Sequence, residues 1–348
     1  MPRASMRELL VEAYTHPDRP AVFYSANSAP TGNARLNATP HWDWSVTRTL
    51  SLESSSTITV PLTFSCPHKQ LDDGREWIEP IITDAAQVKD LAVPDVWSGR
   101  CGDVLREMER LSQELPPGVQ IREPDIQSPL GIAELMWDES FYVALVEHPD
   151  AVHALLEKIT DFLIAFVTEV HRVVGARLNA AGFPPIWADE RGTMIADDTM
   201  TLVSPAMHRE FSVPYLNRFA EACGPLFYHS CSWRRSYFDN IRAVRHVRAY
   251  NWNPGNSDDP ATIIREFSGR AVLAPHLVLG MHQNRDLREA GFQFADEVAL
   301  LRYMLDAAQP DTSFMFWFSN VVQNGPLVGR LYDLMHERGH SPQARGFG

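Results

Sequence analysis

Short apolar segments and amphipathic helical segments alternate along the second half of this sequence. Strands are predicted over residues 225–230, 247–252, 271–279 and 312–318, and helices over 237–244, 259–267, 295–307 and 327–337. A repeated strand-then-helix order places the strands in a parallel sheet with right-handed crossovers. Such a series forms either an open doubly wound sheet or a closed (β/α)8 barrel. No Gly-x-Gly-x-x-Gly follows a predicted strand, which disfavours a dinucleotide-binding sheet. We therefore predict an α/β fold of the (β/α)8 (TIM) barrel type.

Two further helices precede this region. The first begins at Pro149, and its apolar residues recur with the 3.6-residue period as far as Gly175. The second is predicted to have Ser204 as N-cap and Pro205 as first residue, and to close at Gly224.

The first 85 residues have a different character. Strand-like pieces such as Ala21 to Tyr24 and Thr57 to Phe64 lie among loop-forming residues. We expect residues 1–85 to form an N-terminal extension that supplies early barrel strands and long loops over the barrel mouth. The whole chain, 1–348, is then one barrel domain with a frayed tail at 340–348.

Charge and hydropathy exclude several classes of partner. The net charge is -13, whereas nucleic acids and anionic membranes select clustered positive charge. The longest purely apolar run, residues 162–167, is far too short to span a bilayer, and residues 1–10 lack a signal-peptide core. We expect a cytoplasmic protein with a small-molecule substrate.

The four cysteines are widely scattered, so free thiols are expected.

The tripeptide His229-Ser230-Cys231 has the most chemical content. Residues two apart on a strand project to the same side, so an imidazole and a thiol would aim at one point. These are two of the three or four ligands that zinc takes in proteins. The structural alternative is a buried Cys231 beside a hydrogen-bonded His229.

A longer string of motifs surrounds this tripeptide and resembles the uroporphyrinogen decarboxylase superfamily. Its order is especially similar to the zinc-dependent methylcobamide:thiol (coenzyme M) methyltransferase branch. The motifs are Asp197-Asp198, Ser204-Pro205, Glu210-Phe211, Pro214-Tyr215 and His229-x-Cys231. The resemblance extends more weakly over about residues 75 to 338.

The resemblance implies a (β/α)8 barrel with His229 and Cys231 at its catalytic face. In the methyltransferase branch a further cysteine near the last strand completes the zinc site, but residues 314–326 contain no cysteine. Either another residue is the third ligand, or the metal has been lost. The candidates near predicted strand ends are His276, His282, Asp189 and Glu190. The resemblance implies an arginine-bearing loop after the first strand in the decarboxylase branch, but residues 21–27 lack arginine, which disfavours uroporphyrinogen as the substrate.

Three residues are candidates for acid/base catalysis. Neighbours on a strand point to opposite faces, so at most one of Asp197 and Asp198 can face the pocket, and we select Asp198. Glu190 could serve as base or ligand, and His276 lies at a predicted strand end, a suitable place for a proton carrier. Buried carboxylates often belong to structural ion pairs instead.

Four polar residues at strand ends suit substrate binding. They are Asn251, Asn253, His282 and Asn320. Their alternative role is loop capping.

These features predict an enzyme that uses zinc to activate a thiol for methyl or alkyl transfer. A corrinoid, carried by a corrinoid protein, is a candidate methyl donor. One alternative is a metal-free decarboxylase or lyase that acts on a small carboxylate. Another is a barrel that binds a ligand without catalysis.

Overall fold

A computed structural model describes residues 21–24, 49–50, 52, 55–72, 76–115, 120–179, 192–279, 291–319 and 325–338. The strands are β1 (Ala21–Tyr24), β2 (Thr49–Leu50), β3 (His68–Gln70), β4 (Glu76–Ile78), β5 (Gln120–Arg122), β6 (Leu178–Asn179), β7 (Thr193–Ala196), β8 (Leu226–Ser230), β9 (Val247–Trp252), β10 (Val272–Val278) and β11 (Met315–Ser319). The α-helices are α1 (Thr59–Thr63), α2 (Gln87–Asp90), α3 (Gly99–Glu114), α4 (Pro129–Met136), α5 (Phe141–Glu147), α6 (Pro149–Val174), α7 (Pro205–Phe211), α8 (Val213–Cys223), α9 (Phe238–Ala243), α10 (Pro260–Phe267), α11 (Glu297–Asp306) and α12 (Gly325–Glu337).

The chain divides into two compact units. Unit 1 comprises the described residues within 1–48, 230–235 and 248–348, and unit 2 comprises those within 49–229 and 236–247.

Unit 1 contains parallel strands in the order β1, β11, β10, β9. Helix α10 connects β9 to β10, and α11 connects β10 to β11. Trp233, Trp252 and Phe267 are fully buried and pack ring against ring, with the Trp233 ring centroid 4.9 Å from that of Phe267. Burial of such side chains contributes roughly 1.5–3 kcal/mol each.

Unit 2 holds the strands that position the candidate site. Strand β7 pairs with β8 in parallel, with Ala196 opposite His229, and Gln127 forms a parallel bridge to Ala196. Strands β2, β5 and β6 form a second parallel sheet, while β3 and β4 form an antiparallel hairpin.

The longest helix, α6, matches its predicted bounds. Pro149 lies in its first turn, and Gly175 follows its last residue with a φ of 55°, a left-handed conformation that favours glycine. The face predicted from the apolar period is buried. The predicted α/β class with parallel strands is confirmed.

Two predicted elements are corrected. Residues Thr57 to Phe64 contain helix α1 rather than a strand. The Thr59 hydroxyl accepts a hydrogen bond from the Ser56 N–H, and the Thr63 hydroxyl donates to the Thr59 carbonyl, so local hydroxyl bonds support the turn.

The helix predicted from Pro205 to Gly224 is divided at Ser212 into α7 and α8. Pro214 lies in the first turn of α8, where its missing N–H costs no internal hydrogen bond. The predicted N-cap is present, since the Ser204 hydroxyl accepts a bond from the Met207 N–H. No helix in the described part of the chain is both long and apolar enough to cross a membrane.

Candidate metal centre

The candidate site lies at the carboxyl ends of β7 and β8. Ala196 is opposite His229 in the parallel register, and the Asp197 N–H donates to the His229 carbonyl at 2.8 Å. Continuing this register by two residues brings Asp198 level with Cys231. The pairing of two strands therefore explains why residues about thirty positions apart in sequence meet.

Asp198, His229 and Cys231 form a cluster of three metal-ligating groups. One ligand atom from each lies within 4.8 Å of the other two. The His229 Nε2 and Asp198 Oδ1 atoms are 3.7 Å apart, and the side chains are 4% and 42% exposed, respectively. Cys231 is exposed. The cluster thus has a buried imidazole on one side and solvent on the other.

The donor set fits zinc. Zinc takes nitrogen, sulfur and oxygen ligands at about 2.0–2.3 Å in tetrahedral geometry, which places neighbouring ligand atoms ~3.3 Å apart. The 3.7 Å between His229 and Asp198 is near that separation and is longer than a normal hydrogen bond. Three protein ligands leave the fourth tetrahedral position open, as in catalytic zinc sites.

A buried polar network lies directly behind the cluster and centres on Asp197. The Asp197 Oδ2 atom is 2.8 Å from His208 Nε2 and accepts a bond from the Tyr228 hydroxyl at 2.9 Å. The Ser212 hydroxyl is 3.3 Å from Oδ1. Burial raises the pKa of Asp197, but the contact with His208 and hydrogen bonds from Ser128 and Tyr228 lower it below its ordinary value. The carboxylate is therefore ionised inside the protein.

Asn240 contacts the His208 ring on the side opposite Asp197. Its Nδ2 atom donates to the Pro205 carbonyl at 2.7 Å and lies 3.2 Å from His208 Nδ1. The amide has two N–H groups, so it can contact both neighbours and hold the His208 ring with Nε2 towards Asp197.

The two neighbouring aspartates, Asp197 and Asp198, differ in burial. Asp197 is wholly buried in the network, while Asp198 begins a turn of 3-10 helix and faces the cluster. The acid/base role predicted for Asp198 stays a prediction. The position of Asp198 beside two metal-ligating groups suits a ligand.

Three other predicted residues lie in unit 1. His276 is nearly buried on β10, opposite Trp317. The Asn251 side chain is buried and its amide donates to the Ala274 carbonyl. Asn253 caps a 3-10 turn by accepting a bond from the Gly255 N–H at 2.8 Å. The Asn251 bond thus reaches the neighbouring strand β10, and the Asn253 bond stays within its own loop. The predicted roles of all three residues stay predictions.

Asp189, Glu190, His282 and Asn320, together with the predicted tail at 340–348, lie outside the described residues. Sequence reasoning did not consider Asp198 as third metal ligand, because only the register of β7 against β8 brings it to His229.

The remaining cysteines have a different environment. Cys66, Cys101 and Cys223 are buried, and burial raises the pKa of each thiol to about 12. Buried protonated thiols are inert. Cys231 is the exposed member of the four.

Comparison with known proteins gives one family and one shared fold. The family model for uroporphyrinogen decarboxylase (URO-D) matches residues 58–272. A solved methyltransferase from Methanosarcina mazei aligns with a TM-score of 0.64 at 15% identity, over 96% of this chain and 98% of that chain. A 2,3-dimethylmalate lyase of the PEP mutase/isocitrate lyase superfamily aligns at 9% identity over 97% of this chain and 88% of that one, but its TM-score is only 0.31. No curated protein matches the sequence.

Proposed function

The chain belongs to the uroporphyrinogen decarboxylase family, and from this premise we propose that it transfers a methyl or alkyl group to a thiol with the help of zinc. The observation that carries this proposal is the convergence of Asp198, His229 and Cys231, whose ligand atoms lie within 4.8 Å of one another. We propose that these three residues hold the ion.

The charges of the three ligands support this assignment. As zinc ligands, a carboxylate and a thiolate would together carry two negative charges and an imidazole none, so Asp198, Cys231 and His229 as a set would balance a divalent cation. The resemblance to the methyltransferase branch implies one histidine and two cysteines, which give the same charge. Asp198 can therefore replace the missing cysteine without changing the electrostatic balance of the site.

Solvent exposure gives the substrate a place to bind. Asp198 is 42% exposed and Cys231 is also exposed, whereas His229 is almost fully buried. A thiol acceptor can thus approach from the side of the carboxylate and sulfur, while the protein interior fixes the imidazole. Zinc bound there would lower the pKa of the acceptor thiol, so that it reacts as a thiolate near neutral pH.

The proposed reaction is a nucleophilic displacement. The acceptor thiol releases its proton to solvent, and its sulfur forms a bond to the methyl or alkyl carbon. The bond between that carbon and the donor breaks, and the donor keeps the electron pair. We propose a corrinoid protein as the donor. We propose His276 and Glu190 for acid/base assistance. The residues proposed to hydrogen-bond the substrate are Asn251, Asn253, His282 and Asn320.

The fold proposed for this enzyme is a single (β/α)8 barrel over residues 1–348, with 1–85 as N-terminal extension. The parallel strands and the shared fold with the Methanosarcina mazei methyltransferase support it. In such barrels catalytic groups lie at the carboxyl ends of strands. The cluster lies at the carboxyl ends of β7 and β8, in agreement with that rule.

Metal analysis of protein purified without a histidine tag tests the ligand set. We expect about one zinc per chain, lost in Cys231→Ser and strongly reduced in Asp198→Asn. Asp239→Asn is the matched control, because Asp239 is an exposed carboxylate that pairs with Arg242 and is not a member of the cluster. A zinc content that is negligible in the natural sequence, or unchanged in Cys231→Ser, would contradict the proposal.

An activity assay tests the reaction. Methylcobalamin is incubated with coenzyme M or another small thiol, and loss of the methyl–cobalt absorbance is followed with and without a zinc chelator. We expect turnover that the chelator abolishes and added zinc restores. Decarboxylation or lyase activity on a small carboxylate that survives the chelator would favour the metal-free alternative instead.

A further inference from the structure

The residues that immediately precede two of the proposed ligands are bonded to each other. Asp197 precedes Asp198, and Tyr228 precedes His229. The Tyr228 hydroxyl donates to Asp197 Oδ2 at 2.9 Å, while the Asp197 N–H donates to the His229 carbonyl at 2.8 Å. One bond through side chains and one through the backbone thus connect the two ligand-bearing segments.

Further bonds hold the Asp197 carboxylate from a different direction. His208 on α7 lies 2.8 Å away, and both of these side chains are wholly buried. The ring of His208 is itself oriented by Asn240 on α9. The carboxylate therefore has donors from β8 and α7, and a third from Ser212 between α7 and α8. Rotation of Asp197 would break several buried bonds at once.

We propose that Asp197, Tyr228 and His208 form a positioning cluster that sets the separation and orientation of Asp198 and His229 as metal ligands. This inference rests on the proposed zinc site. The Asp198 side chain is 42% exposed, so packing restricts its carboxylate less than it restricts the buried His229. Anchoring the adjacent residue restricts the backbone that carries it. The three residues of the positioning cluster are not among the proposed ligands, so their action would be indirect, in the way that outer residues orient metal ligands.

Cobalt substitution tests this inference without reference to activity. Co²⁺ replaces zinc in the untagged protein, and its visible absorption reports ligand geometry, while zinc affinity is measured by competition with a chromophoric chelator. Tyr228→Phe removes one buried hydroxyl, and His208→Leu removes the donor to Asp197. His208→Gln keeps an N–H at the position of Nε2. Tyr215→Phe is the control, because its buried ring also loses a hydroxyl bond, 2.8 Å to His153 Nδ1.

We expect Tyr228→Phe and His208→Leu to weaken zinc binding by about 10- to 100-fold, the usual effect of losing an outer orienting group. Their Co²⁺ spectra should change in position and intensity. His208→Gln should restore most of the affinity and the spectrum, and Tyr215→Phe should match the natural protein in both measurements.

Two results would overturn the inference, and they differ in what they imply. If the natural protein binds zinc but Tyr228→Phe and His208→Leu bind it equally well with unchanged Co²⁺ spectra, the network only stabilises the fold and the proposed function stands. If the natural protein binds neither ion, the zinc site and the positioning cluster are both wrong. Should His208→Leu fail to fold, Tyr228→Phe and His208→Gln decide between these outcomes.

Discussion

Only one of the four thiols of the native protein should react rapidly with a disulfide reagent. Cys66, Cys101 and Cys223 are buried with pKa values raised from 9.0 to about 12. At pH 8 a thiol of pKa 12 is ionised in roughly one molecule in ten thousand, against about one in ten for a pKa of 9.0, and the thiolate is the nucleophile. Ionisation alone therefore slows these thiols about a thousandfold, before any cost of access.

The assay is reaction with DTNB at pH 8, followed by absorbance. We expect a fast phase of about one thiol per chain, assigned to Cys231, and about four thiols after unfolding in guanidinium. Cys231→Ser should remove the fast phase and nothing else. Added zinc should slow the fast phase, because a coordinated sulfur is less available, and Asp198→Asn should weaken this protection while Asp239→Asn should not.

The reasoning would be refuted if two or more thiols reacted rapidly in the native protein, or if the fast phase survived in Cys231→Ser. If zinc does not slow the rapid reaction, only the ligand role of Cys231 is refuted. The rapid reaction of Cys231 would then be explained by its exposure to solvent.

Three further predictions concern stability. Lys158→Met should lower the free energy of unfolding by about 1.5–3 kcal/mol in urea titrations, because the Lys158 ammonium donates to three backbone carbonyls at the end of α2, two of them at 2.7 Å. A loss below 0.5 kcal/mol would show that water replaces these bonds. Stability should also fall from about pH 9 towards pH 12. In the folded protein the thiol pKa values are raised from 9.0 to about 12, so the stability that these thiols contribute below pH 9 is lost as pH rises towards 12. The thiols are those of Cys66, Cys101 and Cys223. A melting temperature that stays level from pH 8 to pH 11 would contradict this. Finally, burial raises the pKa of Glu123 well above its ordinary value, so the contribution of this group to stability falls as pH rises above the unfolded pKa of about 4.3. Glu123→Gln should therefore gain stability relative to the natural protein as pH rises from about 4 to about 8. Parallel pH profiles for the two proteins would be the contrary result.

Several elements were predictable because their signals are local. The strand over 247–252 coincides with β9, and the helix from Pro149 ends one residue before Gly175, as its apolar period indicates. The interval Thr57 to Phe64 was predicted wrongly. A short run of β-branched and apolar residues does not distinguish a strand from one helical turn, and here threonine hydroxyls bonded to the backbone support the turn.

The candidate site was only partly accessible to sequence reasoning. Alternation along a strand predicts that His229 and Cys231 point to one side; Cys231 lies one residue beyond the end of β8, and its ligand atom lies within 4.8 Å of that of His229. The position of Asp198 depends on how β7 pairs with β8, which is a long-range contact that spacing does not encode. Likewise the buried Asp197–His208 pair joins the residue after β7 to helix α7, and no local pattern indicates this contact.

If the cluster holds an ion as proposed, the register of β7 against β8 would make metal binding depend on correct pairing of these two strands. Asp198 reaches His229 only when Ala196 lies opposite His229, and a slip of one residue would turn every side chain of β7 to the other face. An ion that binds only the native pairing penalises such misaligned states, and a free concentration one hundred times its Kd adds about 2.7 kcal/mol in favour of the native pairing. Chelators and denaturants would then both shift the equilibrium between the folded and unfolded protein, and the denaturant midpoint of unfolding would depend on the concentration of free metal.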